Sequence, residues 1–289
     1  MKALVLAAGR GSRMRPLTDH QPKPLLRVHG QPLMAWPMRA LARAGARLIV
    51  VNTDWLGEQI AAHFGDQLDM GAGAAPVPIR YSHEGRDFGG ALETLGGIAR
   101  ALPLLTQAPR DRLGDRAPDA HGSHRSGSDG FESDVLGGDG FWVVAGDVFM
   151  PNFAFQVPEL GPHLGQLWLV PNPAHHATGD FALAPDGRLM NGSAEGGRYT
   201  FSGVGYYRRA LFEPPWCMLP PGNPRGEKAP LAPLLRLGAD NGLLKGSVWH
   251  GAWTDVGTPQ RLADINAQTR GPQSPESDQA SPADNGDPS

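Results

Sequence analysis

Two clusters near the start of the chain carry more chemistry than a strand-to-helix connection requires. In LVLAAGRGSRMRPLTDHQPKPLL, residues 4–26, an apolar run leads into Gly9, Gly11, Ser12 and Arg13, and Lys23 stands between two prolines. Glycines at the carboxyl end of a strand let backbone N–H groups close on phosphate oxygens. An arginine two residues beyond the second glycine can aim its guanidinium at the same oxyanions. The flanking prolines restrict the backbone and hold the lysine ammonium in one place, a frame that a solvated lysine does not need. A plain tight turn accounts for the glycines alone, but not for glycines, Arg13 and Lys23 together, so the cluster reads as a phosphate site. It is not a P-loop, which ends in Gly-Lys-Ser/Thr. Nor is it a dinucleotide loop, because Met14 stands where the third glycine belongs.

Two aspartates offer the complementary charge. Asp147 closes the apolar run of VVAGDVF, and Asp255 lies in WTDVGTP ahead of the last helical segment. Hard oxygen ligands from distant parts of a chain suit Mg²⁺, which keeps several waters and phosphate oxygens besides. A cap or turn role is the alternative for each. In VPNPAHHATGDFAL, His175, His176 and Asp180 have the residue types of a zinc site, yet adjacent side chains on an extended segment point to opposite sides. Trp168, Trp249 and Trp253 read as packing, and Cys217, with no base spaced near it, as an inert thiol.

The elements that must position these groups alternate in type. KALVLAA, RLIVVNT, VPIRYS, WVVAGDVF and QLWLVPN read as strands, and FALAPDGRLM as a hairpin about Asp186-Gly187. QPLMAWPMRALARAG and ALETLGGIARALPLL read as helices, although Pro37 counts against the first. TPQRLADINAQ offers Thr258 as N-cap and Pro259 at the first helical position. Strands alternating with helices imply an α/β fold: a Rossmann-like, mostly parallel sheet covered on both faces, with ligands beyond the carboxyl ends of the strands.

Length and composition bound the rest. The 289 residues suffice for one substantial core, and the pattern predicts a single domain over 1–270. Residues 107–140 are rich in breakers and poor in aliphatics and predict a disordered insertion; 271–289 predict a disordered tail. A net charge of -3 gives no reason to expect a nucleic-acid or membrane partner. The single cysteine excludes an intrachain disulfide and a cysteine-rich zinc site. With no signal peptide or membrane span readable, a cytoplasmic protein is expected.

LAAGRGSRMRPLT followed by PKPLL resembles the signature of nucleotidyltransferases that act on sugar 1-phosphates, and the similarity runs from residue 1 to about 268 around the 107–140 stretch. The resemblance implies a glycosyltransferase-A-like fold that joins a nucleoside triphosphate to a sugar phosphate and releases pyrophosphate. It implies that Ala8, Gly9, Gly11, Ser12, Arg13 and Lys23 bind the nucleotide, with Arg13 and Lys23 catalytic, and that Asp147 and Asp255 hold Mg²⁺. YSHEGRDFGGALETLGGI stands where such enzymes read the base, which gives Glu84 and Gly96 to the nucleotide; ALETLGGI is similar to the uridylyltransferase branch, with Leu95 departing from it. NPAHHATGDF and TFSG resemble the branch that takes N-acetylmuramate α-1-phosphate in cell-wall sugar recycling. That resemblance gives Asn172, Asp180, Ser202 and Gly203 to the sugar, with the histidines shaping the loop.

The implied substrates are UTP and a sugar 1-phosphate. A sugar phosphate oxygen is already anionic near neutral pH, so positioning and charge screening matter more than a general base. The rival readings are a transferase for another sugar 1-phosphate, such as mannose 1-phosphate with GTP, and a catalytically silent nucleotide-sensing homologue. Arg13, Lys23, Asp147 and Asp255 standing together argue against silence.

Overall fold

The computed structural model describes residues 1–71, 73–106, 140–192 and 197–268. In chain order the first half contains β1 (Lys2–Ala7), β2 (Arg27–Val28), β3 (Gln31–Pro32), α1 (Ala35–Arg43), β4 (Leu48–Thr53), α2 (Gly57–Phe64), β5 (Gln67–Leu68), β6 (Val77–His83), α3 (Glu84–Phe88) and α4 (Glu93–Thr106). The second half contains β7 (Gly140–Ala145), β8 (Val148–Phe149), β9 (Gly165–Val170), β10 (Phe181–Leu183), β11 (Leu189–Met190), β12 (Arg198–Arg208), α5 (Ala232–Asp240), β13 (Leu244–Val248), β14 (Thr254–Asp255) and α6 (Pro259–Ala267). The stretches read from sequence as insertion and tail lie outside the described residues, except Gly140, which begins β7.

The main sheet runs β11-β10-β12-β7-β1-β4-β6-β5, and β9 and β13 extend it from β12. Its middle, β7-β1-β4-β6, is parallel. The antiparallel strand β12 then joins β7 to β9 and β10, so the open α/β sheet is mixed on that side. β1 shows why its run is apolar throughout. Ala3, Val5 and Ala7 face a core with Met38, Leu41 and Ile60 of α1 and α2, while Leu4 faces a second core with Ile98, Leu102 and Leu235 of α4 and α5. A strand covered on both faces cannot alternate apolar with polar. Truncating such a side chain to alanine costs about 2–5 kcal/mol, which is why the ends of these strands are rigid places to hang a site.

Pro37 and Pro103, which the sequence puts inside helices, are each accommodated. α1 begins at Ala35, four residues later than the sequence suggests, so Pro37 lies in the first turn where no N–H has a helical acceptor. Pro103 is interior to α4, and the carbonyl of Ala99, its missing partner, accepts instead from the N–H of Gly222 at 2.7 Å. The eleven-residue β12 is the longest of the strands that sequence reading missed. Glycines at 203 and 205 interrupt its apolar pattern, and they mark a bulge between Phe201 and Val204 and a close approach to the Tyr207 ring.

Candidate active site

The carboxyl ends of β1, β4, β6 and β7 open into a cleft of about 260 Å³. Ala8, Gly9, Lys23, Glu84 and Asp147 line it, together with Asn52, Glu93 and Thr94. Gly11 has φ 66°, in the left-handed region that favours glycine. A Cβ there would lie 3.1 Å from Cβ of Lys23 and 3.2 Å from Cγ2 of Thr18, so the turn folds tightly over the lysine stem. The Thr18 hydroxyl donates to the Gly11 carbonyl at 2.9 Å and secures it. Pro22 precedes the short turn Lys23–Leu25, and the buried Lys23 sends Nζ to Asp147 Oδ2 at 2.5 Å.

Three arginines decorate this loop. Arg10 stacks its guanidinium over the Trp55 ring at 3.7 Å, and Arg15 pairs with Asp19 at 2.6 Å. Arg13, exposed in the turn Ser12–Met14, has no partner among the described residues. Ser12 and Arg13 lie in the same loop but are not part of the cleft wall.

The two aspartates, 108 positions apart in sequence, are brought together by backbone pairing. The sequence reads VVAGDVF as one strand, but β7 stops at Ala145 because Gly146 turns the chain against β1. The Gly146 N–H donates to Leu6 O at 2.8 Å, and a Cβ there would come within 2.6 Å of that oxygen. β8 then pairs antiparallel with β14, setting Asp255 opposite Val148, and the Val256 N–H donates to the carbonyl of Asp147 at 2.9 Å. Asp255 Oδ2 accepts from Arg261 at 2.5 Å, a cation that α6 supplies and that sequence reading did not single out. Asp255 Oδ1 lies 3.2 Å from His175 Nε2, out of line for a hydrogen bond, and is buried with no donor.

Glu84 lies at the start of α3 and is fully buried. Its Oε1 accepts from Asn52 Nδ2 at 2.7 Å and its Oε2 from the Leu92 N–H at 2.7 Å, while Asn52 Oδ1 accepts from the Ala7 N–H at 2.8 Å. This chain of bonds ties the ends of β1, β4 and β6 to the start of α4. Burial pushes the Glu84 carboxyl above the ordinary carboxylate range, against the pull of those two donors. Gly97 packs on the pair, since a Cβ there would meet Glu84 Oε1 at 2.6 Å. Gly96 faces protein rather than cleft, and a Cβ there would meet the carbonyl of Glu227 at 2.6 Å.

A second cleft, of about 500 Å³, continues from the first, and Glu93 and Thr94 line both. Glu93 has φ 60°, a strained backbone for a residue with a side chain. It is held by the segment 223–230, whose Ala229 carbonyl accepts from both Leu95 and Gly96 N–H. Asp180 and Phe201 line the far side. Asn172 donates to the carbonyls of Ala177 and Arg198 and accepts from the Thr200 hydroxyl, so its whole amide staples the loop. Asp180 accepts from the Phe201 N–H at 2.8 Å and meets His176 Nε2 at 3.0 Å.

Ser202 is buried, its hydroxyl accepting from the Val204 N–H and its carbonyl from Trp253 Nε1. At Gly203, φ 82°, a Cβ would meet that of Ala145 at 2.9 Å, so the bulge of β12 lies against the end of β7. The histidines lie in a helical turn, Ala174–His176, not on an extended segment, because Pro173 and the Asn172 staple curl the chain. They still reach different carboxylates, and no cluster of three metal-ligating side chains occurs among the described residues.

The family model described as Nucleotidyl transferase matches residues 2–111, the span that holds the glycine turn and the β1-β4-β6 sheet. The N-acetylmuramate alpha-1-phosphate uridylyltransferase of Neisseria meningitidis serogroup B is 41% identical over 272 residues, 92% of this chain and 97% of that protein. The chain belongs to the sugar-1-phosphate nucleotidyltransferase family. As a member of it, this enzyme also resembles the UTP–glucose-1-phosphate uridylyltransferase of Synechocystis, 37% identical over 105 residues, 35% of this chain and 26% of that protein. Its fold matches HddC of Yersinia pseudotuberculosis, solved with GMP-PN, at a TM-score of 0.60 and 16% identity, covering 92% of this chain and 97% of that one.

Proposed function

We propose that this nucleotidyltransferase moves a uridylyl group from UTP to N-acetylmuramate α-1-phosphate, giving UDP-N-acetylmuramate and pyrophosphate in the cytoplasmic recycling of cell-wall sugar. The observation that carries the reading is the near full-length identity to the Neisseria enzyme, combined with a lysine and two aspartates gathered at the end of the sheet. No helix among the described residues is long and apolar enough to cross a membrane, as suits water-soluble substrates.

The glycine turn at Ala8–Ser12 receives the triphosphate, with Arg13 at its edge to balance charge growing on the departing pyrophosphate. Lys23, held by Pro22 and Pro24, orients the α-phosphate. Its contact with Asp147 holds the ammonium in the cleft wall. Glu84 and Gly96 frame the base side, Glu84 by fixing Asn52 and the Leu92 N–H. Asn172, Asp180, Ser202 and Gly203 set the shape of the sugar side through the loop and bulge they hold. No side chain has to remove a proton, because the attacking phosphate oxygen is already anionic; alignment and screening do the work.

The residues fit a divalent cation. Asp147 stands just before β8 and Asp255 on β14, which pairs with β8, and Asp255 Oδ1 is buried without a donor, an oxygen that a cation would satisfy. Asp147 and Asp255 would hold Mg²⁺, which supplies screening of phosphate oxygens when bound. Pyrophosphate release measured across sugar 1-phosphates and the common nucleoside triphosphates tests the reading. UTP with N-acetylmuramate α-1-phosphate should give the highest kcat/KM; a preference for GTP with mannose 1-phosphate, or no release with any pair, would overturn it.

A further inference from the structure

We propose that Arg236 selects the sugar by pairing with a carboxylate that the sugar carries, an inference that rests on the reading above. The second cleft begins at Glu93 and Thr94, where the first ends, so a sugar joined to a phosphate in the first cleft extends into the second. Its walls are largely apolar, with Phe181, Phe201, Leu231 and Leu235 among them. The charged side chains lining it are Glu93, Asp180 and Arg236. Asp180 is engaged by Phe201 and His176, as described, and Glu93 repels an anion. Arg236 is therefore the one cation of the lining among the described residues.

It is also free. Arg198 donates to three backbone carbonyls, Arg209 pairs with Glu213, and Arg261 pairs with Asp255. Arg236 has no hydrogen bond, ion pair or ring contact among the described residues. Its backbone is nonetheless fixed, because Leu234, Leu235 and Ala239 of α5 are buried and Gly238 closes on Leu244.

N-acetylmuramate differs from N-acetylglucosamine by a lactyl ether that ends in a carboxylate. A guanidinium fork takes a carboxylate in bidentate fashion, and apolar walls strengthen the pair by lowering the local dielectric. A neutral sugar leaves Arg236 solvated at the rim without penalty, so selection comes from the gained pair and not from exclusion of the competitor.

The test compares wild type, Arg236→Gln and Arg236→Lys with UTP and either N-acetylmuramate α-1-phosphate or N-acetylglucosamine α-1-phosphate. Arg236→Gln should lower the ratio of kcat/KM for the two sugars by about 10- to 100-fold, the range of one lost charge-assisted contact. The loss should appear in KM for the acidic sugar and not in KM for UTP, and Arg236→Lys should recover part of it. Arg236 is exposed, so thermal melts of the three proteins should coincide. If wild type prefers the acidic sugar and Arg236→Gln keeps that preference, the assignment of Arg236 is overturned while the function stands. If wild type shows no preference for the acidic sugar, the functional reading falls and takes this inference with it.

Discussion

Around the cleft under the glycine turn, charged groups keep capacity for a ligand: Lys23 meets Asp147 in the cleft wall, Arg13 on the adjoining loop has no partner among the described residues, and Asp255 keeps one buried oxygen without a donor. On the side of the cleft beside α5, the polar residues that the sequence singled out are engaged by the protein itself, and of them only Asp180 lines the cleft. Asn172, Asp180 and Ser202 are bound to the carbonyls, N–H groups and side chains of their own loop and strand. The first cleft presents fixed charges, and the second presents a shape lined by one cation, Arg236, that is unpaired among the described residues. The contrast suits a reaction in which every substrate pair brings the same phosphates but different sugars. Phosphate handling calls for fixed charges, while sugar choice can be set by how a loop is folded.

The sharpest way to break this contrast is at Asp147. Asp147→Asn should lower kcat by at least about 100-fold, the scale of losing one organiser of transition-state charge, while far-UV circular dichroism stays native. Near-normal turnover would show that the aspartate pair does not serve the reaction. Lys23→Met should cost about 100-fold in kcat/KM, with the loss persisting at saturating sugar phosphate, since the ammonium acts on the phosphates common to all substrates. Loss in the sugar KM alone would move Lys23 to the other cleft.

On the sugar side, Asn172→Ala leaves the Thr200 hydroxyl and two carbonyls without a partner. It should lower stability by about 1–3 kcal/mol in urea titrations and raise KM for the sugar while sparing KM for UTP. An equal rise in both constants would mean that the loop serves the whole site.

The smallest expected effect is a pH dependence at Glu84. Burial holds its folded pKa above the ordinary 4.5, so the folded state binds its proton more readily than the unfolded chain. The resulting stability is fully present below 4.5 and is lost as pH rises through the folded value. Wild type should therefore lose melting temperature relative to Glu84→Gln as pH is raised from about 4 towards neutrality. A constant difference between the two would contradict the burial argument.

The glycine turn, Lys23, Asp147 and Asp255 stood out in sequence because each lies in a short run of distinctive composition and spacing. The β8–β14 ribbon that joins the aspartates was not, since two-residue strands leave no periodicity to read. Asn52 and Arg261 were missed for another reason: each acts by holding another side chain, Glu84 and Asp255, and belongs to no motif of its own. A lone asparagine inside RLIVVNT was the available signal for the first, because a polar side chain in a strand buried on both faces must have a bonding role. Gly96 and Gly97 were legible as glycines and misleading in purpose: both make room for protein, Glu227 in one case and Glu84 in the other. The curl at His175 and His176 depends on the Asn172 staple to Ala177 and Arg198, a tertiary contact that local pattern does not announce.

The most direct test is a crystal structure with UTP and Mn²⁺, using anomalous scattering to locate the ion. The expected result is the triphosphate on the Gly9–Arg13 turn beside Lys23, with an anomalous peak touching the carboxylates of Asp147 and Asp255. Nucleotide bound away from that turn, or an ion that contacts neither aspartate, would contradict the assignment of the site.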